Sequence, residues 1–251
     1  MHMLIPLSVP HLTNSGKHSA TGKCDRMQAC SSQRPKARRM VADSQPAVIQ
    51  NQDPKLNPEA ALEELLAGNR RFTSGRTYAH RRDLAMLQQT LEKQEPFAAV
   101  LSCSDSRVPV EVVFDQTIGQ LFVTRVAGNI VTTEIVASLE YAAAVLGTNT
   151  ILVMGHSRCG AVTAAIEKPS VPGQIGALFP HIELAVKQSG PDVEATIRSN
   201  ALIQSNRLRE LSPLLDSMIA AGKLKIATGY FDIRSGSVTL LDAGAAENLR
   251  Q

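Results

Sequence analysis

Two short stretches hold the side chains that could do chemistry. One runs Cys103-Ser104-Asp105-Ser106-Arg107 and the other Gly155-His156-Ser157-Arg158-Cys159-Gly160. In an extended backbone alternate residues project to one side, so the first stretch is expected to gather a thiol, a carboxylate and a guanidinium in one small volume. His156 and Cys159 stand three residues apart, the spacing at which side chains share one face of a helical turn. A helix starting just after Cys159 would also favour its thiolate. Either stretch alone says little: a buried cysteine is usually a small hydrophobe, and an Asp–Arg pair is usually a structural ion pair. Together, two thiolates, an imidazole and a carboxylate make a donor set suited to tetrahedral zinc. Cys103, His156 and Cys159 are read as permanent metal ligands, and Asp105 as a fourth that either fills the last position or leaves it to water. Three protein ligands with an exchangeable fourth position is the pattern of a catalytic zinc. Arg107 supplies the reason for the exchange, because a bidentate pair with Asp105 would draw the carboxylate off the metal. Zinc opened in this way lowers the pKa of its water to about 7 and yields hydroxide at neutral pH. Asp105 and Arg107 are therefore the candidate catalytic pair, and one Zn2+ per chain is the expected cofactor.

Such a site needs both stretches at the ends of neighbouring strands. Phe97–Ser102 is a short apolar run that reads as a buried strand, and Thr150–Met154 reads as another. A further strand is expected within 119–126. Ile135, Leu139, Ala142 and Leu146 mark an amphipathic helix that Gly147 can end. The second stretch leads into a helix over Gly160–Glu167. Residues 192–221 read as largely helical, with Val193, Ile197, Ala201, Leu208, Leu211, Leu215 and Met218 as the buried stripe and Pro213 as a bend or restart. Lys225–Tyr230 and Ser237–Leu241 read as closing strands around the turn Arg234–Gly236. Ahead of all these, Asn57-Pro58 is a helix start, with Leu62, Leu65, Leu66, Asn69 and Phe72 at helical spacing. A second helical stretch is expected over roughly 80–93, with Leu84, Leu87 and Leu91 on one stripe, packing on the core or clasping a second subunit. Short apolar strands alternating with helices predict an α/β fold: a mainly parallel sheet flanked by helices, with an antiparallel edge and an N-terminal helical arm. Ligand sites in such sheets lie beyond the carboxyl ends of the strands, where both stretches sit.

Composition narrows the function classes. With 251 residues, 43% hydrophobic and 20% charged, the chain is an ordinary globular one. No apolar run approaches the roughly 20 residues of a membrane-spanning helix, so an integral membrane segment is not expected. The net charge of +3 hides an asymmetry: residues 1–42 hold seven Lys/Arg against one acid, Asp25, so that stretch carries +6 and the remainder −3. The basic excess thus belongs to the tail, and with 4% aromatics and no Trp a nucleic-acid partner is not expected. Four cysteines are too few for a disulfide scaffold of this size, and Cys24 and Cys30 read as free tail thiols. No Gly-x-Gly-x-x-Gly opens a helix, which removes a dinucleotide site. Residues 1–57 read as an extension, disordered or targeting, and 58–251 as a single catalytic domain. The expected location is cytoplasmic, or an organelle or export route if the extension is a targeting segment.

The sequence resembles the β-class carbonic anhydrases over about residues 58–242. The resemblance rests on Ser102–Val108, Phe122–Asn129, Ser138–Ala142 and Met154–Ala161. It implies a four-stranded parallel core plus an edge strand, and a homodimer or higher homo-oligomer with its site at the subunit interface. It also implies that Cys103, His156 and Cys159 are zinc ligands, Asp105 the switchable fourth and Arg107 its partner. The implied reaction is zinc-dependent, reversible hydration of carbon dioxide to bicarbonate and a proton. Alternatives are a carbon disulfide or carbonyl sulfide hydrolase on the same fold, or a silent zinc-stabilised scaffold subunit. Some family members carry a bicarbonate pocket containing a Trp. This chain has none, although Arg125 matches one of that pocket's basic members.

Overall fold

The computed structural model describes residues 56–78 and 83–241. The extension up to residue 55, with Cys24 and Cys30, lies outside the described residues. Helix α1 covers Pro58–Thr73, and the Asn57 side chain caps it by accepting from the Ala60 N–H at 2.8 Å. Its apolar stripe, Ala61, Leu62 and Leu65, packs onto the sheet as the spacing predicts. The second expected helix is much shorter than its leucine spacing suggests. Among the described residues it is α2, Leu84–Gln88, opened by the Asp83 side chain accepting from the Met86 N–H. Leu84, Leu87 and Leu91 are 67%, 48% and 74% exposed, so among the described residues no core holds a longer helix there.

Strands β1 (Ala98–Ser102), β2 (Leu121–Arg125), β3 (Thr150–His156), β4 (Lys225–Asp232) and β5 (Ser237–Leu240) form one sheet in the order β2-β1-β3-β4-β5. The first four are parallel and β5 pairs antiparallel to β4, the four-plus-edge arrangement that the resemblance implied. Every residue of β1 and β3 is buried, as expected where helices cover both faces. Ala98, Val100, Leu152, Met154 and Phe231 face α1 and the short helix α3, Val110–Val113. Ala99, Leu101, Ile151, Val153 and Ile226 face α4 (Thr133–Glu140) and the last turns of the C-terminal helices. Past Glu140 the helix continues as one π-helical stretch, Tyr141–Val145, before Gly147 turns the chain at φ 76°.

Helices α5 (Gly160–Glu167), α6 (Phe179–Ser189) and α7 (Val193–Leu211) pack around the site end of the sheet, and α8 (Pro213–Ala220) leads back to the start of β4. Pro213 restarts the helix one residue after a break at Ser212, whose hydroxyl caps α8 by accepting from the Leu215 N–H at 3.1 Å. The predicted stripe of α7 and α8 holds at Ile197, Ala201, Leu208 and Leu215, whereas Leu211, at the helix end, is 51% exposed. Between them α7 buries Asn200 and Gln204 completely. Buried amides are retained only where partners satisfy them. Asn200 Nδ2 donates to the Gly128 carbonyl at 2.9 Å, and Gln204 Oε1 accepts from the Val131 N–H at 2.8 Å. Helix α7 thus holds the 127–131 loop by hydrogen bonds rather than by packing alone.

Candidate metal centre

β1 and β3 are hydrogen-bonded parallel neighbours, with Ser102 opposite Met154, so the two chemistry-bearing stretches leave the sheet side by side. Cys103 follows β1 directly and is 4% exposed. His156 is the last residue of β3, and Cys159, 2% exposed, is the N-cap residue of α5. Cys103 Sγ, Cys159 Sγ and one ring nitrogen of His156 lie within 4.8 Å of one another, and the two sulfurs are 4.0 Å apart. Two sulfurs held tetrahedrally by one zinc, each at about 2.3 Å, would stand at about 3.8 Å, so the pair already has nearly that spacing. His156 Nδ1 lies 2.9 Å from the Ser157 carbonyl oxygen, which can only accept. The proton therefore sits on Nδ1, and Nε2 presents a lone pair. That Nε2 is buried and has no hydrogen-bond partner among the described residues. An orphaned buried acceptor between two thiols is what a metal ligand looks like without its ion, and the donor set is zinc's own.

The thiols are poised to bind a cation. Cys103 is held down to about 4, chiefly by a hydrogen bond from the Cys159 thiol, against burial and with help from His156 and the Gly128 N–H. Cys159 is pushed up, first by that same bond to Cys103 and then by burial, while the N–H groups opening α5 work the other way. The pair therefore shares one negative charge and keeps one proton, which a bound cation would displace. The Gly128 N–H donates to Cys103 Sγ at 3.3 Å. Gly128 holds φ 77°, and a Cβ there would meet Ile182 Cδ1 at 2.9 Å, so only glycine brings this donor to the sulfur without strain.

Asp105 is not gathered with the three ligand atoms. It sits in a turn, not in the extended segment that the alternation predicted. Its Oδ1 accepts from the Arg107 backbone N–H at 2.9 Å and from Nε at 3.0 Å, while Oδ2 accepts from Nη2 at 2.7 Å. Aspartate closing a turn on the N–H two residues on is what fixes this shape. The Arg107 guanidinium is the main reason that the Asp105 carboxyl is held down to about 2. Oδ2 lies 4.0 Å from His156 Nε2, so the carboxylate stands beside the cluster. The helical face proposed for His156 and Cys159 is likewise replaced: the chain turns between them through Arg158 at φ 57°. Glu194 of α7 supports that left-handed residue, accepting its N–H at 3.2 Å, and Arg107 Nη2 donates to its carbonyl at 3.3 Å.

The sequence matches the family model for carbonic anhydrase over residues 98–238. It is 32% identical over 197 residues to carbonic anhydrase 2 of Mycobacterium tuberculosis, covering 75% of this chain and 95% of that protein. It is 35% identical over 169 residues to the carbonic anhydrase of Pseudomonas aeruginosa, covering 61% and 76%. Among solved structures, the β-carbonic anhydrase CcaA superposes with a TM-score of 0.60 at 28% identity, over 74% of this chain and 89% of that one. The chain belongs to the β-class carbonic anhydrases. Arg125, matched by the resemblance to a basic member of a bicarbonate pocket, here braces the Asp105 turn. Its Nε donates to the Cys103 carbonyl at 3.0 Å and its Nη2 to the Asp105 carbonyl at 2.6 Å. Sequence reasoning missed Gly128, Asn200, Gln204 and Glu194. Only Asn200 and Gln204 left a signal, as amides four residues apart inside an otherwise apolar helical stripe.

Proposed function

We propose that this carbonic anhydrase hydrates carbon dioxide reversibly to bicarbonate and a proton, with one zinc per chain held by Cys103 Sγ, His156 Nε2 and Cys159 Sγ. The observation that carries the reading is the orphaned His156 Nε2 buried between two thiols, with an ionised Asp105 held just outside them. Zinc in that position supplies Lewis acidity, which makes water a nucleophile near neutral pH. The chain's own residues do the rest. Arg107 occupies three of the roughly four acceptor sites of Asp105. The remaining site on Oδ2 would accept a hydrogen bond from the attacking water and so turn its lone pair toward the carbon of carbon dioxide, the proton of the overall reaction leaving to solvent. Arg107 keeps Asp105 ionised and off the cluster, so the carboxylate orients the nucleophile and does not seal the metal. A purely structural zinc would have no use for such a pair. Arg125 fixes the height of the turn, and Gly128 and His156 set the geometry of the sulfurs and the ring.

Residues 58–251 act as a single catalytic domain in this reading. The protein works in the cytoplasm as a homodimer or higher homo-oligomer, supported by the apolar stripe Leu84, Leu87 and Leu91 that is exposed among the described residues. Among the described residues no helix is long and apolar enough to cross a membrane. Stopped-flow assay of carbon dioxide hydration, with zinc measured on the same sample, tests the proposal. Turnover should track zinc content, vanish on chelation and return on adding zinc. A fully zinc-loaded preparation without turnover would overturn it.

A further inference from the structure

The Ser157–Arg158 turn also lines a cleft of about 790 Å³. None of Cys103, His156 and Cys159 lines it. Four guanidiniums do: Arg107, Arg158, Arg198 and Arg234. Arg107 is committed to Asp105. Among the described residues the other three guanidiniums form no ion pair with a carboxylate, although two carboxylates stand in the same cleft. Those carboxylates are spent elsewhere. Glu194 accepts from the Tyr230 hydroxyl and from the Arg158 backbone N–H. Asp232 closes the β4–β5 turn, accepting from the Arg234 N–H at 3.0 Å and the Ser235 hydroxyl at 2.8 Å.

The arrangement is built, not merely basic. Arg198 lies 3.6 Å above the centre of the Tyr230 ring, and the Tyr230 hydroxyl is tied to Glu194, so this guanidinium is held in place by its own wall. Each guanidinium offers up to five N–H donors in a planar fork, the geometry that phosphate oxygens satisfy best. Ser237 and Thr239 of β5 add hydroxyls to the lining. A bare inorganic ion would fill little of the space, whereas clefts of roughly 300–1,000 Å³ take whole small molecules.

We propose that this cleft is a binding site for a small organic phosphate monoester, its phosphate held by Arg158, Arg198 and Arg234 and its polar body lying along Ser237 and Thr239. None of the three metal ligands lines the cleft, although Arg107 of the catalytic pair does, and the binding proposed for the other three guanidiniums does not depend on the reaction assigned to the metal centre.

Calorimetric titration of the zinc-loaded full chain with ribose 5-phosphate, inorganic phosphate and citrate tests this. Ribose 5-phosphate should bind once per chain and more tightly than either of the others. Arg234→Gln leaves the backbone bond to Asp232 intact, and Arg198→Gln is the second variant. Each should weaken ribose 5-phosphate binding by about tenfold, the loss expected for one charge-assisted hydrogen-bonding group. Turnover without added phosphate should stay unchanged in Arg234→Gln. Absence of saturable binding overturns the proposal. So does binding that both variants leave intact, which would put the anion elsewhere, on the metal included. Tighter binding of citrate would make the site one for polycarboxylates, and equal binding of inorganic phosphate would remove the organic body; either result also overturns the assignment.

Discussion

The loops after β1 and β3 meet at one site but are built on opposite principles. After β3 the ligands are sealed although Arg158 between them is exposed: the His156 side chain is fully buried, Cys159 nearly so, and the Ser157 N–H still bonds the Phe231 carbonyl at 2.9 Å as an extension of the sheet. After β1 Cys103 is buried, but the chain from Ser104 to Arg107 then comes to the surface before Val108 is buried again. Two and four residues on, the side chains of Asp105 and Arg107 are 17% and 49% exposed and are held by each other rather than by packing, while Arg125 bonds the backbone of their turn. Burial fixes ligands that must not move, whereas a solvent-facing ion pair leaves a carboxylate able to change partners.

The largest way to break this contrast is on the sealed side. Cys159→Ser should abolish stoichiometric zinc and turnover together and lower the melting temperature, because a ligand that binds only the native state stabilises it. Elemental analysis with thermal denaturation checks it, and retained zinc would mean that Cys159 is not a ligand. On the open side, Arg107→Gln should keep zinc stoichiometric while kcat/KM falls by about 10–100-fold, the usual effect of losing a group that orients metal-site residues. If that variant also lost its zinc, the two loops would be one unit. Gly128→Ala sharpens the comparison between them. It should cost about 1–3 kcal/mol in a denaturant titration through strain at φ 77° and the 2.9 Å approach to Ile182 Cδ1, with a smaller effect on activity.

The smallest effects concern pH. Asp105 has its ordinary 3.8 lowered to about 2 by Arg107, so the pair's contribution to stability is present above pH 3.8 and disappears as pH falls through about 2. The carboxylate therefore stays ionised across the neutral range and sets no limb of the activity profile there. Tyr230 goes the other way, raised from 10.0 to about 12 by burial first and then by its bond to Glu194. Its protonated form is favoured by folding, so that stabilisation is complete below pH 10 and fades as pH rises through about 12. Tyr230→Phe should remove that alkaline dependence from unfolding curves measured over this interval. An unchanged slope would show that the hydroxyl contributes nothing.

Much of this was legible before any coordinates. The strands and α5 announce themselves through short apolar runs and Gly160, and the Asn57-Pro58 start is a local signal that tertiary packing does not alter. Helix α6 was missed, although Pro180 in its first turn, Ile182 and Ala185 on one face and Gly190 at its end were available. Residues 80–93 failed differently: their leucine period is real, but a period says only that a face is apolar, not that this chain covers it. At the site, residue types survived and shapes did not. Asp105 meets Arg107 through a turn closed on its own side chain, and His156 meets Cys159 across a left-handed Arg158. Such shapes are decided by Arg125, Glu194 and α7, which lie far off in sequence.

Cys103 and Cys159 are 56 residues apart, and a strand and two helices intervene before β3 docks beside β1. In the unfolded chain the two sulfurs meet rarely, because closing so long a loop has its own entropic penalty. The ion therefore has nothing to nucleate and enters a socket that the apoprotein has already finished. Metal supplied late should slow unfolding without hastening the search for the native sheet.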